Sequence, residues 1–166
     1  VFYIMWPTMA DEPRVITSVQ EFQEVVGQET RVSDWFEVTQ DRVDQFAEVT
    51  GDHQWIHVDR ERAKTGPFGG TIAHGLLTLS VGPMMRGGQQ FIQTQLPSRM
   101  GINYGYNRIR FIAPVHVGKR IRSRSKLLSV EEVQPGIVQV INEVTIEIEG
   151  EPKPAMVAEH ITRTYL

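Results

Sequence analysis

The second half of the chain most constrains what it can fold into. From Pro97 onward, runs rich in β-branched and aromatic residues are separated by short polar turns. Ile102–Phe111 reads as one strand, with Gly105 as a bulge. Ala113–Gly118 turns into a second, Lys119–Val130. A third spans Gly136–Ile148, where Val138, Val140, Ile141, Val144, Ile146 and Ile148 keep a partial period of two. Glu149-Gly150-Glu151-Pro152 turns it into the last, Ala155–Tyr165. Four long strands on short loops, following a helical half, indicate an α+β fold with an antiparallel sheet.

The first half supplies the helices. Thr17 or Ser18 starts one as N-cap, with Glu21 as capping-box partner, an apolar stripe of Phe22, Val25 and Val26, and Gly27 at its end. Arg31–Val38 reads as a strand with Val32, Trp35 and Phe36 as its apolar members. Thr39 caps a helix over residues 40–50, with Val43, Phe46, Ala47, Val49 and Thr50 facing the core and Gly51 closing it. Asp59 caps a short helix over 60–64. An apolar helix is expected from Ile72 to Met85. Leu76, Leu77, Leu79, Val81, Met84 and Met85 surround it, so it should lie buried against the sheet. Residues 1–16, interrupted by Pro7 and Pro13, read as a dispensable extension of one domain spanning 17–166.

Two stretches carry the chemistry. Thr50-Gly51-Asp52-His53-Gln54-Trp55-Ile56-His57-Val58-Asp59 leaves a helix through a Gly-Asp turn and sets a carboxylate five positions before an imidazole. Asp52 and His57 could share one water, an acid/base pair suited to adding or removing water; the plain alternative is a polar surface turn. Gly66-Pro67-Phe68-Gly69-Gly70-Thr71-Ile72-Ala73-His74-Gly75 then leads into the apolar helix. Unpaired N–H groups at a helix start can stabilise an oxyanion. By themselves, the glycines explain only a turn.

Taken together, these stretches resemble the MaoC-like, (R)-specific enoyl-CoA hydratase family of the hot-dog fold, especially single-domain actinobacterial hydratases. That family's motif reads roughly Gly-Asp-x-Asn-Pro-apolar-His-x-Asp, followed by a loop ending in His-Gly. Gly51-Asp52, Ile56-His57, Val58-Asp59 and His74-Gly75 match it, while Gln54-Trp55 stands where Asn-Pro is usual. The resemblance covers about residues 17–166. It implies an antiparallel sheet wrapped around a long central helix, a homodimer, a cytoplasmic location, and reversible hydration of trans-2-enoyl thioesters to (R)-3-hydroxyacyl thioesters. In the roles it implies, His57 activates the water and Asp52 positions it and protonates the α-carbon. The Gly75 N–H polarises the thioester carbonyl. Gln54, His74, Asn103 and Tyr104 are candidates for supporting these groups or contacting substrate. No metal or redox cofactor is called for; coenzyme A enters as part of the substrate, as free acyl-CoA or its acyl-carrier equivalent. Arg108, Arg110, Lys119, Arg120 and Arg122 could meet its phosphates, or simply form a solvated face.

Composition narrows the rest. One domain is the expectation for 166 residues, and a net charge of −3 with no dominant basic cluster gives no argument for nucleic acid. The absence of cysteine removes disulfide and thiolate chemistry, and the histidines do not form a metal-binding spacing. No apolar run reaches the length of a membrane span. Two rivals remain open: a hot-dog thioesterase, and a non-catalytic acyl-thioester-binding subunit of a dehydratase complex.

Overall fold

A sheet built from long strands must cover its apolar face, and here that face curls over helices from the first half of the chain. The computed structural model describes residues 12–166, so the first eleven positions of the expected extension lie outside the described residues. In chain order the elements are β1 (Arg14–Ile16), α1 (Val19–Glu24), β2 (Glu29–Val32), β3 (Phe36–Glu37), α2 (Gln40–Thr50), α3 (Trp55–Val58) and α4 (Arg60–Lys64). They continue with α5 (Gly75–Val81), a 3₁₀ turn (Gly82–Met84), β4 (Gln89–Gln90), β5 (Ile92–Thr94), β6 (Met100–Phe111), β7 (Arg120–Gln134), β8 (Ile137–Ile148) and β9 (Met156–Tyr165).

The main sheet runs β4-β2-β7-β8-β9-β6, with β3 also pairing with β7, and every pairing in it is antiparallel. The register of β6 against β9 shifts between Asn103 and Gly105, where the sequence places a bulge. On β8, Val138, Val140, Val144, Ile146 and Ile148 are all buried, as alternation requires. Two apolar clusters sit on the concave face. One gathers Val43, Ala73, Leu77, Met85, Ile121, Val144, Ile146 and Met156 around α5. The other gathers Ile16, Phe22, Val25, Ile92, Leu127, Val130 and Val138. No described helix is long and apolar enough to cross a membrane.

Several expectations need correction. The central helix begins at Gly75, because Ile72 bridges to His116 and the Ala73 N–H donates to Val115, which keeps the preceding residues extended. It gives way to a 3₁₀ turn at Gly82-Pro83, since proline has no N–H for the α ladder and crowds the preceding turn. On so short a helix only one side meets the sheet, and Leu76 (60% exposed) and Met84 (52%) point away. Val49 is likewise 82% exposed rather than inward.

The strand expected over 31–38 is split in two. Ser33 turns its hydroxyl to accept the Ser123 N–H at 2.9 Å, and the chain breaks step before β3. The helix at 19–24 ends before Gly27, with Val25 as C-cap. Finally, Arg14–Ile16 is not outside the domain. It pairs in parallel with Ile92–Thr94, and Ile16 is fully buried. Those short strands, among them the polar Gln89-Gln90, have too few residues to show a period.

Candidate active site

Thr39 caps α2 by accepting the Arg42 N–H at 3.4 Å, and the helix runs as expected to Thr50. Gly51 then adopts a left-handed conformation (φ 78°), its N–H donating to Ala47 at 2.8 Å. A residue with a Cβ would be strained there, so glycine is what lets the chain turn out of α2. Asp52 follows on the surface, its carboxylate accepting the Gln54 N–H at 3.3 Å. The short α3 next carries His57 inward, to 7% exposure.

The His57 tautomer follows from its partner. The Ile72 carbonyl can only accept, so Nδ1–H donates to it at 2.7 Å and Nε2 is left with a lone pair. Burial pushes the His57 pKa down, opposed by the Ile72 bond and, more weakly, by Asp52. Neutral imidazole with a free Nε2 is the form a general base requires. Stacked on His57, with ring centroids 3.8 Å apart and planes at 27°, lies His74. Its Nε2–H donates to the Asp52 main-chain carbonyl at 2.9 Å, and its buried Nδ1 has no partner among the described residues. The Asp52 carboxylate and one nitrogen from each imidazole lie within 4.8 Å of one another. Two imidazoles and a carboxylate are donor types that also serve metal ions, here with the two rings stacked and the His74 Nε2–H committed to the Asp52 carbonyl.

His57 lines a cavity of about 300 Å³ with Phe68, Ile72, Gly75, Thr78, Phe111 and Ala155 among its walls. The Gly75 N–H, in the first turn of α5, makes no hydrogen bond among the described residues. Phe111 packs so closely that a Cβ on residue 75 would sit 3.0 Å from its ring. The arrangement sets a buried imidazole and a free amide donor in one mostly apolar pocket, with the Asp52 carboxylate close to the imidazole.

Sequence reasoning missed Gln40. Buried at 8% exposure, its Nε2 donates to the His57 carbonyl at 2.8 Å and to Asp44 at 2.7 Å, and its Oε1 accepts the Thr71 hydroxyl at 2.6 Å. The glutamine thus ties α2 to α3 and to the glycine loop. The only sequence cue was a polar residue at the first position of an amphipathic helix, which is ordinary there.

Other candidates fall elsewhere. Gln54 supports Asp52 through its main chain; its side chain makes no hydrogen bond among the described residues. Asn103 is not at this pocket. It accepts from His160 at 3.1 Å in a second cavity of about 360 Å³, lined also by Phe22, Ile92 and Thr162. Tyr104 is exposed on the other side of the strand, beneath the Arg163 guanidinium at 3.5 Å. Of the cationic residues, Arg108, Lys119, Arg120 and Arg122 pair with Glu159, Glu151, Glu149 and Glu147.

Comparison with known proteins bears on the fold and the family. Residues 21–148 match the family model described as MaoC like domain. The chain is 48% identical over 150 residues to 3-hydroxyacyl-thioester dehydratase Z of Mycobacterium tuberculosis (strain H37Rv), covering 90% of this chain and 97% of that protein. The MaoC-like dehydratase from Rhodospirillum rubrum superposes with a TM-score of 0.66 at 19% identity, over 84% of this chain and 92% of that one. For the (R)-hydratase from A. caviae involved in PHA biosynthesis the TM-score is 0.62 at 23% identity, over 81% and 95%. Two solved folds so alike at such low identity fix the hot-dog architecture, and the sequence match over most of the chain places this protein in the MaoC-like dehydratase family.

Proposed function

We propose that this chain is a hydro-lyase that adds water to trans-2-enoyl thioesters to give (R)-3-hydroxyacyl thioesters, and catalyses the reverse dehydration. One observation carries the reading. The Asp52 carboxylate and the His57 imidazole converge beside a pocket edged by the unpaired Gly75 N–H. The 3-hydroxyacyl-thioester dehydratase named above supports the same substrate class.

In the forward direction one water sits between Asp52 and His57. Its proton passes to Nε2 of His57 as its oxygen bonds to C3, and the C2–C3 π electrons move toward the thioester carbonyl. The Gly75 N–H stabilises the enolate-like oxygen. The proton held by His57 then passes to the Asp52 carboxylate and from it to C2, so the pair recovers its starting charge. The thioester is carried by coenzyme A or an acyl carrier.

We further place the pocket mouth at a homodimer interface. Phe68, Leu76, Phe111 and Ile112 are exposed apolar residues around it, and such a patch needs cover. Light scattering tests this: a clean monomer at the 18.9 kDa of one chain would count against it.

Hydration of crotonyl-CoA, followed by loss of enoyl absorbance, tests the activity. Asp52→Asn and His57→Ala should each lower the rate by about 10²–10⁴-fold. Free-thiol release in place of hydration would point to a thioesterase. Binding without either reaction would point to a non-catalytic subunit.

A further inference from the structure

Histidine is a poor choice for position 74 on packing grounds alone. The side chain is 3% exposed, wedged between the Phe46 ring at 5.0 Å and the His57 ring at 3.8 Å. Its Nδ1 is a buried acceptor with no partner among the described residues and no measurable access to water. A ring of carbon atoms would fill the space without that penalty. What a carbon ring cannot do is donate to the Asp52 carbonyl. Asp52 is exposed, and among the described residues its own carboxylate is held only by the Gln54 N–H at 3.3 Å. The shorter His74 bond, at 2.9 Å, therefore ties Asp52 to the buried body of the domain.

We propose that His74 is a positioning residue for the Asp52–His57 pair. Its N–H fixes where the carboxylate stands, and its face fixes and shields the His57 ring. This rests on the hydratase reading above. His74 is not the base. Its Nε2 already holds a proton against a carbonyl, and a second proton at Nδ1 would be buried without an acceptor. The titratable groups facing the His57 ring are Asp52 and His74.

Two substitutions separate the two contacts. His74→Phe keeps a ring on His57 and removes the donor. It should melt at or above the wild-type temperature while kcat falls by about tenfold or more and KM changes little, because the carboxylate is no longer held in place. His74→Gln keeps an N–H near the Nε2 position and removes the ring. It should retain more kcat than the Phe variant. Water then reaches His57, its pKa rises toward the ordinary histidine value, and the acid limb of the kcat/KM profile moves to higher pH. A Phe variant with wild-type kcat, a Gln variant no better than Phe, or an unmoved acid limb in Gln would each overturn the proposal.

Titrating the His57 ring by NMR gives a readout independent of turnover. An upward shift in the Gln variant supports the shielding role even if wild type hydrates no enoyl thioester, in which case only the functional reading fails. An unshifted His57 titration refutes the shielding whatever the activity.

Discussion

Gln40 offers the sharpest test of how the site is held. Gln40→Met replaces it with an unbranched side chain of similar length that has no hydrogen-bonding amide. The His57 carbonyl and the Thr71 hydroxyl, bonded to Gln40 at 2.8 and 2.6 Å, then lose their buried partner, while Asp44 turns to water. Each orphaned buried group costs about 1–3 kcal/mol, and methionine packing returns part of that, so roughly 3 kcal/mol is the expected net loss. At about 2–4 °C per kcal/mol for a chain of this length, the melting midpoint should fall by roughly 6–12 °C. Activity should fall as well, since the same amide fixes the backbone that carries the base. Thermal melts of wild type, Gln40→Met, Thr71→Val and the double variant give the assay. Because both changes break the Gln40–Thr71 bond, the double variant should lose less than the sum of the singles. A midpoint within 2 °C of wild type, or strict additivity with Thr71→Val, would refute the clamp.

Three further outcomes are expected. Gly75→Ala places a methyl 3.0 Å from the Phe111 ring and beside the proposed oxyanion donor; hydration should drop by about 10²-fold, with partial recovery in the Phe111→Ala background, and unimpaired kinetics would remove Gly75 from the mechanism. Ile16→Ala empties a fully buried site and should cost about 3 kcal/mol, read as a loss of roughly 6–12 °C, whereas a silent substitution would return β1 to the dispensable extension. The buried His57 and His160 both have lowered pKa values, so the unfolded chain binds protons first as pH falls. Stability should be level above the ordinary histidine range and decline as pH drops through about 6.5. His53 is raised by Glu48 and works in the opposite sense, but it is fully exposed and screened, so a midpoint that rises on mild acidification would break the argument.

The sequence was most legible where a local rule acts alone. Thr39 and Gly51 bound α2 to the residue because capping and left-handed backbone are decided within a turn. Asp59 likewise accepts the Arg62 N–H at 3.0 Å and starts α4 as expected. The long strands were legible from period-two alternation. Legibility failed where partners are distant. Nothing near Leu76 says that its side of a short helix has no neighbour, and nothing near Gln40 says that its amide meets residues 57 and 71. The error over Asn103 is of the same kind, since its partner His160 lies 57 residues away along the chain. Asp52 and His57 were named from their spacing only together with the family resemblance, since the spacing alone fits a polar surface turn equally well. The stacked His74, and with it the protonated nitrogen on each ring, needed the fold.

The departure at Gln54-Trp55 shows how one backbone path can be reached by different chemistry. Gln54 has φ −58° and ψ 133°, the extended conformation that a following proline would impose. Trp55 is the first residue of α3, where proline is favoured because the N–H has no helical partner. The chain therefore follows the route that Asn-Pro would set, without the ring that would preset it. Proline at a compatible site is worth about 0.4–1 kcal/mol through the unfolded state. Trp55 supplies a term of similar size in the folded state. The Arg62 guanidinium lies 4.4 Å over its ring, a contact worth about 0.5–1 kcal/mol where exposed. Gly66 approaches the same ring so closely that a Cβ there would stand 2.8 Å away. The indole thus pins α3 to α4 and to the start of the glycine loop, while Gln40 holds the same helix from α2. His57 sits between these two anchors, so its position does not depend on the proline that the family usually places before it.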